Sequence, residues 1–189
     1  DAKAMSDPIK NWQKRNPGQP LPTGTVDWKE EYLQQIEQGG VSKNEQDFLD
    51  LISLAEGTSN YGNNGYNTLF GGSQFSDYSD HPRQYFDHNG TRTSAAGRYQ
   101  ITAQSWDDAV KALGLTDFSP ANQDKAALWL AKRAGQGENI RNGNITGAAN
   151  GLRQVWTGLN SSAGQNALAG YYASANSIPQ PTNYAGGAG

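Results

Sequence analysis

The 189 residues carry 15 Lys and Arg against 18 Asp and Glu, a net charge of −3, with 35% hydrophobic residues, 23 glycines and no cysteine. This excludes disulfides and thiol chemistry. Mixed charge without a basic stripe argues against a nucleic-acid partner, and no run approaches the roughly 20 apolar residues of a membrane-inserted helix. What remains is one domain of ordinary size, with a modest core, long polar loops and extensions.

Residues 1–26 are polar and contain Pro8, Pro17, Pro20 and Pro22, which predicts an arm with an irregular linker from Asn16 to Gly24. Ile9 and Trp12 suit an arm wrapped on the body, or an anchor to a larger module. From Asp27 to Gln38, Trp28, Tyr32 and Ile36 recur every four residues before Gly39-Gly40, the spacing of a helix packed on the next domain. The division expected is an extension over 1–40, a folded domain over 41–178 and a flexible Pro- and Gly-rich tail over 179–189.

Ser42 followed by Glu45 is a capping-box pattern. Phe48, Leu51, Ile52 and Ala55 then recur at helical spacing, and Gly57 stands where helices stop. The predicted helix places Glu56 in its last turn, at the edge of the apolar stripe. Partial burial and the negative end of the helix dipole both favour the protonated carboxyl there, which suits a general acid. The plainer alternative is a helix-end Glu pointing into water.

Thr58 to Gly72 is too rich in Gly, Asn and Tyr for a regular helix, and Phe75 to Arg83 reads as a second polar loop. Tyr85 to Ile101 alternates weakly around Asn89-Gly90, which predicts a small β-hairpin. Thr102 caps a helix with Trp106, Val110 and Leu113 inward, closed by Gly114. Ser119-Pro120 opens the next, with Ala127, Leu128 and Ala131 inward, ending at Gly135. Further helices are expected over Ile145–Leu159, with Leu152, Val155 and Trp156, and over Ala163–Ile178, with Leu168, Tyr171 and Tyr172. The fold class is α+β: mostly helical, with a small β element after the first core helix.

Among chemistry-bearing patterns, phosphate-cradling and dinucleotide glycine loops are absent, and so is His-Glu-x-x-His. His81 and His88 would need help from Asp77, Asp80 or Asp87 to hold a metal, so neither metal nor cofactor is expected. Ser79-Asp80-His81 spells a triad, but adjacent residues cannot converge as one. Tyr61, Tyr66, Tyr78, Tyr85 and Tyr99 suit either sugar rings or a core whose hydroxyls reach water.

The order of motifs is more telling: Ala55-Glu56-Gly57-Thr58, Gly65-Tyr66, Gly71-Gly72, Phe75 through Arg83, Ala96-Gly97-Arg98-Tyr99-Gln100, Leu113-Gly114-Leu115, then Asp117-Phe118-Ser119-Pro120 with Gln123-Asp124. Over roughly residues 44–160 this resembles the lambda-type phage endolysins, lytic transglycosylases of the lysozyme superfamily. The resemblance implies a lysozyme-like fold with a cleft between its helical and β parts, and Glu56 as catalytic acid. It places Gly97–Gln100 at a cleft-lining strand, so Tyr99 and Gln100 become candidate glycan contacts, with Tyr99 equally suited to a hairpin core. Tyr78 and His81 could line the cleft or brace their loop, and Arg98 reads as an ion-pair partner. Gln84–Thr93 takes the position of a mobile lip. The loop from Thr58 to Gly65 is shorter than in the lambda pattern, and Gly135–Ile145 and the chain after Leu159 depart from it.

The function so implied is cleavage of peptidoglycan glycan strands with formation of 1,6-anhydro ends. The rivals are a hydrolytic muramidase, which needs a second carboxylate from Asp77, Asp80 or Asp87, and a glycan-binding module without catalysis. The expected place of action is the bacterial periplasm and cell wall. The enzyme would be phage-encoded, either released at lysis or virion-associated, with attachment to a larger module through residues 1–40.

Overall fold

The computed structural model describes residues 41–177, with side chains through 170. The predicted arm, the helix over 27–38 and the tail lie outside the described residues. Residues 42–170 pack as one unit.

The organising element is α1, Lys43–Glu56. Its first turn is closed by the predicted capping box: the Ser42 hydroxyl accepts from the Glu45 N–H at 3.2 Å, and the Ser42 N–H donates to Glu45 Oε1 at 3.1 Å. Its last turn is stopped by Gly57, at φ 75°. Between the caps, Phe48, Leu51, Ile52 and Ala55 are buried as expected, and Leu49 and Ser53 join them.

The chain then runs through two short 3-10 turns, Thr58–Asn60 and Asn63–Gly65, and a set of isolated bridges: Thr68 with Gln74, Leu69 with Ala96, and Ala96 with Ile101. The hairpin is present but short. Strands β1 (Phe86–His88) and β2 (Thr91–Thr93) pair antiparallel, with Asp87 opposite Arg92. Asn89 and Gly90 both adopt positive φ, 50° and 78°, the requirement of the tight turn that such a pair favours. Phe70 anchors the hairpin against Phe86 and His88, with ring centroids at 6.3 and 5.1 Å.

Helices α2 (Ala103–Leu113) and α3 (Pro120–Arg133) follow at the predicted places. Thr102 caps α2 by accepting from the Ser105 N–H, and Gly114 ends it in the left-handed region. Trp106 is buried edge-on to Phe118 at 4.8 Å. Leu113, expected inward, is the last residue of the helix and is 43% exposed, and Val110 and Leu128 are half-buried. A short helix that the pattern did not suggest, α4, spans Gly137–Arg141.

The predicted helix over Ile145–Leu159 is broken. Only α5, Ile145–Gly151, is α-helical, and the chain then turns into a 3-10 segment, Thr157–Asn160. Leu152 and Trp156 are buried as predicted and Leu159 joins them, whereas Val155 is 43% exposed. Glycines 147, 151 and 158 weaken helix here by about 1 kcal/mol each, and the Trp156 indole N–H finds its partner off the helix, on the Tyr99 carbonyl at 2.8 Å. The last helix, α6, spans Ser162–Ser177 and buries Leu168.

Candidate active site

Glu56 is the last residue of α1, so its backbone is fixed by the helix. The side chain is half-buried. Burial pushes its carboxyl from the ordinary value up to about 7, and the backbone N–H of Gly158, in the Thr157–Asn160 turn, pulls partly the other way. Removing water disfavours the anion, while a donor aimed at the carboxyl favours it; here desolvation wins. The group can therefore carry a proton at neutral pH and give it up within the working range of an acid catalyst.

The segments beside Glu56 are locked by buried polar contacts. Thr58 is buried; its hydroxyl donates to the Arg98 carbonyl and lies 3.0 Å from the Ser53 hydroxyl. This ties the end of α1 to the Gly97–Gln100 stretch. Arg98 is nearly buried, pairing with Asp50 of α1 at 2.7 Å and donating to the Asn64 carbonyl at 2.8 Å, which matches its expected ion-pair role. Its guanidinium also lies over the rings of Tyr66 and Tyr99.

The structure separates the four proposed glycan contacts into two kinds. Tyr99 is fully buried, and its hydroxyl donates to Asp124 at 2.6 Å beside that of Tyr66 at 2.8 Å. Its ring is core, and it presents no face to a ligand. His81 is 2% exposed. Its Nδ1 accepts from the Arg83 N–H at 2.9 Å, which leaves Nε2–H to donate to the Ile101 carbonyl at 2.8 Å. Burial lowers its pKa, so it is a neutral brace between loop and bridge. Both positions correct the cleft-contact expectation, because each side chain is consumed by interior partners.

Gln100 and Tyr78 are half-buried. Gln100 adopts φ 49°, and its amide donates to the Gly97 and Thr68 carbonyls at 2.9 and 3.2 Å. Those bonds fix the amide plane and leave its oxygen available. The Tyr78 hydroxyl accepts from Asn63 at 2.6 Å, and its ring meets Phe75 edge-on at 5.6 Å.

The carboxylates weighed as partners for Glu56 have other duties. Asp77 accepts from the Ser79 N–H at 2.8 Å, which holds its pKa below the usual range. Asp80 pairs with Arg83 at 2.8 Å, and its pKa is lowered by that guanidinium. Asp87 is exposed on the hairpin, 3.9 Å from Arg92. Burial raises Asp124, but one of its oxygens already accepts from two tyrosines. No cluster of three or more metal-ligating side chains occurs among the described residues.

A cavity of about 540 Å³ opens elsewhere, by Glu45 at the far end of α1, lined by Leu113, Leu128, Trp129 and Ile140. Eleven helical steps separate Glu45 from Glu56, about 16 Å along the axis, so this cavity is not part of the site. Sequence reasoning missed Gly158 and Asp124. The cluster of glycines in the last third of the chain was the available signal for the first, since a helix seldom tolerates three.

A family model described as Endolysin matches residues 46–177. The chain is 41% identical to the endolysin of Escherichia phage lambda over 117 residues, covering 59% of this chain and 74% of that one. It is 36% identical to the endolysin of Escherichia phage P2 over 126 residues, covering 59% and 76%. In three dimensions it resembles the lysozyme of bacteriophage lambda complexed with a chitohexasaccharide, with a TM-score of 0.64 and 33% identity over 71% of this chain and 96% of the other. A second structure, lysozyme from bacteriophage lambda, gives 0.63 and 33% over 70% and 92%.

Proposed function

The chain belongs to the endolysin family, and from that premise we propose that it cleaves peptidoglycan as a lytic transglycosylase whose single acid and base is Glu56. The observation that supports this reading is a half-buried carboxyl with a pKa of about 7 at the end of α1, while Asp77, Asp80 and Asp87 serve a loop, an ion pair and the hairpin. A retaining or inverting hydrolase needs two cooperating carboxyl groups; an intramolecular ring closure needs one.

In the proposed reaction, protonated Glu56 gives its proton to the glycosidic oxygen between N-acetylmuramic acid and N-acetylglucosamine as the bond from that oxygen to the anomeric carbon breaks. The carboxylate so formed takes the proton of the muramic 6-hydroxyl, whose oxygen closes on the anomeric carbon. The products are a free N-acetylglucosamine 4-hydroxyl and a 1,6-anhydromuramic end. No water is consumed, and Glu56 ends protonated as it began. The muramic N-acetyl group stabilises the developing positive charge.

Gln100 and Tyr78 are the proposed glycan contacts, with Tyr99 and His81 as the scaffold behind them. The chitohexasaccharide in the lambda lysozyme complex supports a saccharide as ligand. The place of action is the cell wall of a phage-infected bacterium, reached at lysis or from the virion.

Mass spectrometry of fragments released from purified peptidoglycan tests the reading. Muropeptides ending in 1,6-anhydromuramic acid, lighter by one water than hydrolysed ends, are expected. Reducing muramic ends would establish a muramidase instead. A folded protein that binds glycan and releases nothing would leave a binding module.

A further inference from the structure

We propose that Thr58 is a positioning residue for the reaction: its buried hydroxyl fixes the stretch that carries Gln100 to the end of the helix that carries Glu56. This rests on the reading of Glu56 as catalytic acid and of Gln100 as a glycan contact.

Thr58 follows Glu56 by two residues, opens the Thr58–Asn60 turn and is 2% exposed. Its hydroxyl has one proton and two carbonyls in reach, that of Arg98 and, at 3.4 Å, that of Ser53. The Arg98 carbonyl is the nearer, so the proton goes there. The Ser53 hydroxyl, 3.0 Å away, is left to donate to Thr58 Oγ1. Gly65 closes the other side: a Cβ there would stand 2.5 Å from the Thr58 carbonyl oxygen and 2.8 Å from Thr58 Cβ. Thr58 is thus clamped between α1, the Asn63–Gly65 turn and the Arg98 peptide.

On the receiving side, three consecutive carbonyls are each held. That of Gly97 accepts from the Gln100 backbone N–H and side-chain amide, and that of Arg98 from Thr58. That of Tyr99 accepts from the Trp156 indole, which packs edge-on against Phe48 of α1 at 5.9 Å. Gln100 itself stands at φ 49°, a conformation that residues other than glycine keep only where the surroundings enforce it. The Arg98–Asp50 ion pair is a second tie to α1, but the Asp50 side chain is 52% exposed, and an ion pair open to water holds weakly. The buried Thr58 bond is therefore the firmer tie. It joins Glu56 to Gln100 through two residues, one hydrogen bond and two residues more. An acid that must meet a glycosidic oxygen and an amide that orients the same saccharide have to keep one separation.

The test is steady-state kinetics of the full chain on soluble peptidoglycan glycan strands. Thr58→Val removes the donor at nearly constant volume. Its kcat is expected to fall by about 10²-fold, the scale of a 1 Å misplacement. Its KM is expected to stay within about twofold, because orientation is lost and binding is not. Thr58→Ser restores the hydroxyl and is expected to bring kcat back to within about threefold of the wild-type value. Ser53→Ala removes a buried hydroxyl of the same helix but leaves the Thr58 bond to Arg98, so it is expected to lose stability and keep kcat. An unchanged kcat in Thr58→Val overturns the proposal, whether or not KM rises. A Ser53→Ala enzyme as slow as Thr58→Val also overturns it, since the effect would then be one of general packing. In the wild-type chain the Thr58 hydroxyl proton is expected as a slowly exchanging NMR resonance. A hydroxyl in fast exchange with water overturns the proposal without any variant having to fold. Full activity in Glu56→Gln sinks the catalytic reading and the proposal with it, whereas an inactive Glu56→Gln beside an unimpaired Thr58→Val sinks the proposal alone.

Discussion

The Glu56 carboxyl keeps its proton near neutrality because burial penalises the anion, and that same penalty is a stability statement. Its pKa is raised from 4.5 to about 7 by folding. The folded state therefore binds the proton more tightly, and the cost of the charged form is absent below pH 4.5, grows between 4.5 and about 7, and is complete above that. Glu56→Gln is expected to abolish peptidoglycan cleavage by at least about 10²-fold. It is also expected to raise stability at pH 8 by up to about 3 kcal/mol, and to change nothing at pH 4. Urea melts at the two pH values check the second outcome; equal effects at both would mean that the carboxyl is not buried as described. Tyr99→Phe separates scaffold from contact. Loss of its buried bond to Asp124 should cost about 1–3 kcal/mol and leave KM for glycan unchanged. A raised KM with unchanged stability would return Tyr99 to the cleft. The sequence displayed the right residue types here but not their direction: Tyr99 and Gln100 are adjacent, yet one faces the core and the other is half-buried.

At the scale of elements, the well-read parts are those with local punctuation. The capping box and Gly57 bound α1, Thr102 and Gly114 bound α2, and Asn89-Gly90 sets the hairpin turn. Each signal lies within a few residues of its effect, so no distant contact is needed to see it. The helix expected over 145–159 breaks, although Leu152, Trp156 and Leu159 are buried at nearly helical spacing, because the backbone between them is not helical. Burial periodicity reports which side chains face inward, and a turn can satisfy it as well as a helix. For the hairpin, Gly90→Val puts a β-branched residue at φ 78°, which such residues rarely adopt. The strand amides of β1 and β2 are expected to lose hydrogen-exchange protection while the global melting point holds, since Phe70 is the hairpin's aromatic anchor. A large fall in melting point would show that the hairpin supports the core.

Across the whole folded unit, residues from three stretches of the chain meet at Gln123. Its amide nitrogen donates to the Tyr66 and Phe118 carbonyls, both at 2.9 Å, and its oxygen accepts from the Arg98 N–H at 3.0 Å. Gly97 makes room for it: a Cβ there would stand 2.2 Å from the Gln123 amide oxygen, on a backbone at φ 81°. Gly97→Ala is therefore expected to destabilise by about 3 kcal/mol or more, with a single cooperative transition at lower denaturant. A change below 1 kcal/mol would mean that Gln123 can swing aside. The order and ends of most helices, the hairpin turn, the acid-bearing end of α1 and the family are legible in the residues alone, because caps, turn pairs and motif order act over short range. The tertiary structure alone decided which tyrosine faces inward, that His81 is a brace, that the late helix breaks, and that Gly158 stands against Glu56. Those outcomes depend on which distant partner fills each space and satisfies each buried polar group, and neither spacing nor composition records that.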